Sequence, residues 1–436
     1  MSIMAYTRRV GGVRIWVTSW ILVLLLTVTA GAERIYLDIT AADVRKVALA
    51  VPPFVDAAGV VSEDGKKMAS LLGRGLEFHG FIRVIEPSQY GGSQEADWQS
   101  LGVDYVVLGS YQKKGGNLQL EMRILDVAEN KMLFGRRYRG AMSRKDDMVL
   151  RFCDAVIEEF TGEPGISRSR VAFISDATGR KEVYVGDVLG RHIRQITRHK
   201  HLTVSPRFSP DGKFLAYSSY HSGNQNLYIT DLRQSKITRA ISRRRGMNLA
   251  PAWSPDGKTM AVTLSKDGSP DLYLIDRQGR ILERLTKKTG INVSPTWSPD
   301  GSKLAFVSDR SGKPQIYIMD MRSRRVQRLT FEGSENSEPN WSPKGDLIAY
   351  TGLVGGTYHI FTIDPSGKTT PKQITSGNGE FESPSWSPDG KQIVLSRRRG
   401  GKQELCVVFK NGKGLRTLFH LKGNQSYPQW AAPEEE

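Results

Sequence analysis

A heptapeptide of the form Pro-x-Trp/Phe-Ser-Pro-Asp-Gly returns at a fixed interval through the second half of the chain, and that interval restricts the fold more than any other feature. Its aromatic falls at Phe208, Trp253, Trp297, Trp341, Trp386 and Trp430, always 44 or 45 residues apart. The proline two places earlier recurs with it, as Pro206, Pro251, Pro295, Pro339, Pro384 and Pro428. The fourth copy departs at Lys344-Gly345 and the last at Ala431-Ala432-Pro433. Three short apolar stretches follow each copy, through Ala216, Tyr228 and Ser242 in one repeat and Ala261, Tyr273 and Thr286 in the next. Each is rich in β-branched and aromatic residues and bounded by turn formers, which is the pattern of strands. Asp-Gly suits a tight turn because glycine accepts positive φ without a Cβ clash. Four strands in such an interval make a β-propeller blade.

The two ends of the repeat region predict closure. The first repeat, from Arg170, opens at its second strand, whereas Tyr427-Pro428-Gln429-Trp430 is a first strand with no successors. The fragments complete one blade if the C-terminal strand pairs beside the Arg170 segment, which leaves no open sheet edge. A linear array would need capping repeats, and neither end has that character. The expectation is a closed ring of six blades over residues 164–436. The recurring aromatics should pack between blades. The proline should start an innermost strand whose free side faces the channel.

Residues 33–163 show no repeat and read as one mixed α/β domain. Strands are expected at Glu33 to Ile39, Val47 to Val51, Phe81 to Ile85 and Tyr105 to Leu108, and a pair at Gln119 to Asp126 and Met132 to Tyr138. Helices are expected at Asp64 to Phe78 and Asp146 to Phe160, with a short one ending at Trp98 to Leu101. Residues 1–32 read as a cleaved signal peptide. Arg8, Arg9 and Arg14 precede an apolar stretch from Ile15 to Val28, and Ala30-Gly31-Ala32 follows as a cleavage site. The formal net charge of +17 would suit an anionic partner, but export argues against nucleic acid. An oxidising compartment permits a bridge between Cys153 and Cys406. Cys153, however, lies on an apolar helical face and Cys406 occupies an aromatic position of the repeat, so two buried free thiols are expected.

Catalytic signatures are missing from the sequence: there is no nucleophile elbow, no H-E-x-x-H, no C-x-x-C and no phosphate-cradling loop. No catalytic residue, cofactor or metal is therefore expected. On a strand, His199 and His201 would share a face and could hold a metal, but Arg198 and Lys200 beside them disfavour a bound cation. The aspartate of each Ser-Pro-Asp-Gly should be structural, since it recurs. The loops before the innermost strands behave differently. Met247-Asn248-Leu249-Ala250, Ile291-Asn292-Val293-Ser294, Glu335-Asn336-Ser337-Glu338 and Glu380-Phe381-Glu382-Ser383 vary while the framework repeats. Variable loops on a rigid scaffold are the pattern of a binding surface. The alternative is a channel-site enzyme, a lyase, cyclase or peptidase-like propeller, which would need converging acid and base groups where these loops supply scattered Glu and Asn.

An export signal, a small α/β domain and six such blades together resemble the TolB family, the periplasmic components of the Tol-Pal system. Stretches more particular to that family are Leu101 to Gly109, Phe160-Thr161-Gly162 with Arg168 to Phe173, and Arg328 to Asn336. The resemblance implies a monomeric, non-enzymatic adaptor that supports outer-membrane integrity and cell division and meets membranes only through partners. It implies that the peptidoglycan-associated lipoprotein Pal sits at the propeller mouth, against Met247, Ala250, Val293, Ser294 and Glu338. It also implies that TolA is engaged by Glu33, Arg34, Ile35, Tyr36, Leu37 and Asp38. The chain departs from the family pattern in having Met247 for a His and Val293-Ser294 for a Thr-Glu pair.

Overall fold

Strand β1 (Val47–Ala50) is the parallel neighbour of β2 (Ile82–Ile85) and of β3 (Tyr105–Lys114), in a computed structural model that describes residues 45–433 apart from 235–237. The expected signal peptide and the expected strand from Glu33 lie outside the described residues. β4 (Asn117–Asp126) and β5 (Lys131–Ala141) extend the sheet antiparallel, in the order β2-β1-β3-β4-β5. Two helices, α1 (Glu63–Phe78) and α2 (Lys145–Thr161), cover one face. Met68, Leu72 and Leu76 of α1 meet Val149, Phe152 and Val156 of α2 over Leu49, Val107 and Leu120 of the sheet. The Ser62 hydroxyl starts α1 by accepting from the Gly65 amide at 3.3 Å, with Glu63 and Asp64 on the positive end of the helix. Gly162, at φ 71°, ends α2.

One expected element is absent. Trp98 to Leu101 form successive turns rather than the end of a helix. The Asp97 carboxylate accepts from the Ser100 amide and Gly102 takes φ 64°, so the chain reverses into β3 before a helix can propagate.

The second half is a ring of six four-stranded antiparallel sheets. Blade one comprises Thr203–Phe208, Phe214–Ser219, Asn226–Asp231 and Thr238–Ser242, and the next four follow in sequence. Closure is as expected: Gln425–Ala431 pairs with Arg170–Ser175, placing Trp430 opposite Val171, and so completes blade six. The recurring aromatics stitch blades together. Trp253, Trp297 and Trp386 donate their indole N–H to the carbonyls of Arg207, Ala252 and Asn340 in the preceding blade, at 3.3, 3.1 and 3.1 Å. Cys153 and Cys406 are free and buried.

The Ser-Pro-Asp-Gly aspartates are turn-builders. In the second copy Ser254 donates to Asp256 at 2.6 Å, and Asp256 in turn accepts from the Lys258 amide at 3.0 Å. The fourth copy, Ser-Pro-Lys-Gly-Asp, keeps the device from the other side of the glycine, with Ser342 donating to Asp346 at 2.8 Å.

The proline sits elsewhere than expected. It is not at the start of the innermost strand but mid-strand, in a β-bulge. In blade one, Ala216 pairs with Arg207 and Ser218 with Val204, so Ser205 and Pro206 together oppose Tyr217. A residue without an N–H can lie in a sheet where the ladder is already broken. The residue before it is left-handed in every blade: φ is 53° at Ser205, 50° at Ala250, 52° at Ser294, 50° at Glu338, 56° at Ser383 and 50° at Tyr427. Each such residue costs about 1–2 kcal/mol, held in place by the pairing on either side.

Candidate functional site

The two ends of the ring differ in what covers them. The end that carries the Ser-Pro-Asp-Gly turns meets the N-terminal sheet-and-helix region. The Phe78 ring at the end of α1 lies edge-on to Trp430 at 6.0 Å, and the Phe78 carbonyl accepts from Arg416 at 2.8 Å. A guanidinium there also complements the negative end of α1. Gly80 takes φ 84° so closely against Phe409 that a β-carbon would fall 2.0 Å from the ring. Glu163 pairs with Lys344 at 2.7 Å and Lys391 at 3.2 Å, and Asp146 pairs with Arg191 at 2.8 Å. Lys344 occupies the aspartate position of the fourth repeat motif, so the departure there provides a link between the two regions.

The opposite end is the mouth, formed by the loops that enter each innermost strand and by the hairpins joining second to third strands. Six large apolar side chains of the ring are exposed there: Leu202 (42%), Tyr220 (38%), Met247 (43%), Ile291 (46%), Phe331 (70%) and Val354 (47%). Leu282, on an outer strand, is the other exposed large apolar residue of the described ring. Exposed apolar groups gathered at one end of a molecule are the pattern of an interaction surface. Blades four and five raise taller hairpins over this face, through Ile348–Val354 with Thr357–Ile363 and Gln392–Arg399 with Lys402–Phe409.

The five partner-facing residues expected from sequence gather on this end, on three consecutive blades. Ala250, Ser294 and Glu338 are the left-handed bulge residues of blades two, three and four. Met247 is exposed at the entry to its strand, and Val293 is half-buried beside Ser294. Glu338 is held in place: one oxygen accepts from Thr351 at 3.0 Å and the Ser383 amide at 2.8 Å, the other from the Ser383 hydroxyl at 3.0 Å. Burial pushes the neighbouring Glu382 carboxyl above its usual range, and the Glu338 charge adds to this. His199 stacks on His221 at 4.0 Å and bonds the Tyr217 hydroxyl at 3.0 Å. Burial lowers its pKa, and the His221 ring lowers it further. Glu33, Arg34, Ile35, Tyr36, Leu37 and Asp38 lie outside the described residues.

Sequence reasoning missed the ring of bulge residues and the apolar rim. The signal for the ring was available, since every member precedes a recurring proline, but Ser, Ala, Ser, Glu, Ser and Tyr share no chemistry. The rim residues come from two kinds of loop whose common end only the folded ring reveals.

Comparison with known proteins follows the same division. Residues 157–433 match the TolB beta propeller domain and residues 35–133 the TolB amino-terminal domain. The Tol-Pal system protein TolB of Desulfotalea psychrophila is 52% identical over 211 residues, 48% of this chain and 48% of that protein. The one from Desulfosudis oleivorans is 39% identical over 230 residues, 50% of this chain and 52% of that protein. The chain thus spans about half the length of the curated relatives it matches. The crystal structure of TolB from Acinetobacter baumannii superposes with a TM-score of 0.79 at 27% identity, covering 89% of this chain and 97% of that one.

Proposed function

This chain belongs to the TolB family, and from that premise we propose that it is a non-enzymatic periplasmic component of the Tol-Pal system. In this reading residues 1–32 are removed on export, residues 33–163 form the N-terminal domain and residues 164–436 the propeller. Pal docks at the propeller mouth against Met247, Ala250, Val293, Ser294 and Glu338. The observation that carries the proposal is that six of the seven large apolar side chains exposed on the described ring, all but Leu282, lie at the mouth, while the other end packs on the N-terminal region.

The division of labour at the mouth follows from chemistry. Met247 and Ile291 are the anchors, since a large apolar side chain released from water contributes about 1.5–3 kcal/mol. Met is unbranched and adapts to a partner's contour. Glu338 is fixed through Ser383 and Thr351 and so presents a preorganised acidic edge. With Met247 and Val293 on its inner wall, this mouth depends more on apolar burial than on hydrogen bonds.

TolA is engaged by Glu33 to Asp38 through strand addition, in which an extended backbone offers its N–H and C=O groups to a sheet edge. An adaptor that holds both partners supports outer-membrane integrity and constriction at division. Any coupling between the two sites is reciprocal in free energy.

The test is affinity for Pal by calorimetry with Met247→Asp and Ile291→Asp. Each should weaken binding at least tenfold with the unfolding midpoint unchanged; undiminished affinity in both would discard the mouth as the Pal site. TolA-domain affinity, measured with and without saturating Pal, decides the coupling, and equal values would remove it. Deletion of residues 33–38 should abolish TolA binding and spare Pal.

A further inference from the structure

Inside the channel, one step below the bulge residues, the residue after each recurring proline faces the lumen: Arg207, Ala252, Thr296, Asn340, Ser385 and Gln429. At four of the six blade junctions that side chain accepts a hydrogen bond from the backbone N–H of the next blade's aromatic. Thr296 accepts from Trp341 at 3.3 Å and Asn340 from Trp386 at 2.9 Å. Ser385 accepts from Trp430 at 3.0 Å and Gln429 from Phe208 at 2.6 Å. The pattern fails at two adjacent junctions. Arg207 has donors only, and Ala252 has no polar atom. The equivalent N–H groups of Trp253 and Trp297 therefore meet no side-chain acceptor from the preceding blade.

The Arg207 guanidinium is itself short of acceptors. Its Nη1 donates to the Pro206 carbonyl at 2.9 Å. Among the described residues no carboxylate forms an ion pair with it. Glu338 is near enough to favour its charge, but both of that carboxylate's oxygens already accept from Thr351 and Ser383. Arg207 is half-buried, and that burial holds its pKa below the ordinary value against the opposing charge of Glu338. Even partial desolvation of a guanidinium that no carboxylate pairs is unfavourable. A cavity of about 440 Å³ adjoins it, lined by the lower channel residues and the Ser-Pro turns.

We propose that this wall, Arg207 together with the backbone N–H groups of Trp253 and Trp297, binds a small free oxoanion or carboxylate in the channel. Charge-assisted donation from a guanidinium, with backbone amides at the two neighbouring junctions, suits planar or tetrahedral oxygens, as in other amide-lined anion sites. The site is separate from the docking residues above it and does not depend on the partner assigned to the mouth.

The test uses the full mature chain at constant ionic strength and substitutes Arg207→Gln. Glutamine at this position rebuilds the acceptor that Gln429 provides at its own junction, so the variant keeps the ring and loses the cation. Replacing chloride by inorganic phosphate should raise the wild-type unfolding midpoint saturably, by about 2 °C at tenfold the dissociation constant, and leave Arg207→Gln unmoved. Acetate in a parallel arm separates the carboxylate source from the oxoanion source, and a saturable rise with either supports the site. No anion-specific rise in the wild type, or an equal rise in Arg207→Gln, overturns it. Should the variant fail to fold, phosphorus-31 line broadening on the wild type, reversed by excess sulfate, supports the site; its absence overturns the proposal.

Discussion

Trp430→Ala should open the ring at its seam. Trp430 is 3% exposed and stands opposite Val171 in the pairing that joins the C-terminal strand to the first part of the propeller. Its ring lies at 6.0 Å from Phe78, and its indole N–H donates to Ser169 at 2.7 Å. Truncating a buried Trp to Ala costs about 3–5 kcal/mol, of which the aromatic pair accounts for about 0.5–1.5 kcal/mol. The Ser169 hydroxyl keeps its own bond to the Ile166 carbonyl at 2.5 Å, so no buried donor is orphaned. The expected loss is therefore about 4 kcal/mol, a shift of roughly 1 M in urea midpoint. Trp297, half-buried and remote from the seam, is the control and should cost about half as much. Hydrogen exchange separates the two: Trp430→Ala should accelerate exchange in Arg170–Ser175 and at the end of α1, and Trp297→Ala should not. A loss below about 1 kcal/mol, within the range of a surface change, or acceleration spread evenly over all blades, would refute the seam.

Gly80→Ala places a β-carbon against the Phe409 ring in a left-handed backbone, and should cost about 2–4 kcal/mol and speed proteolysis between residues 162 and 169. His79 is buried and neutral, with Nδ1 bonded to the Gly75 carbonyl at 2.9 Å and Nε2 accepting from the Ile166 amide at 3.1 Å. Burial depresses its pKa, against the pull of Asp154 and Asp389 and with a small push from Lys391. A depressed histidine contributes stability that is complete above about pH 6.5 and declines as the pH falls. Urea midpoints from pH 8 to 5 should show that decline, and His79→Gln should flatten it. Asp346→Ala removes the acceptor of the fourth turn and should cost about 1–2 kcal/mol, read as a lowered midpoint in a thermal melt.

The blade count was legible because the aromatic that closes each blade on its neighbour cannot vary freely, and its interval survives in one chain. Closure was legible from the halves of a repeat left at Arg170 and Trp430. The bulge was not, because its positive φ is imposed by pairing on both sides and needs no particular side chain: Tyr427 and Ala250 occupy equivalent places. Asp346 escaped notice because the turn needs a carboxylate near the serine hydroxyl, and either side of the glycine satisfies it. The turns at Trp98 to Leu101 read as helix because the apolar spacing fits one, whereas Gly102 and the Asp97 carboxylate decide locally. At the mouth, Met247 and Val293 were legible as variable loop residues. Phe331 and Val354 were not, because their common end depends on strand direction within the ring.

The central claim is that the mouth, and not the end packed on the N-terminal region, receives the lipoprotein. Hydrogen-exchange mass spectrometry of the mature chain, free and saturated with Pal, measures this directly. The account predicts protection in residues 243–250, 287–294 and 331–338, with the Ser-Pro-Asp-Gly turns and β5 unchanged. Protection confined to those turns or to β5, with the three mouth loops exchanging as in the free chain, would contradict it.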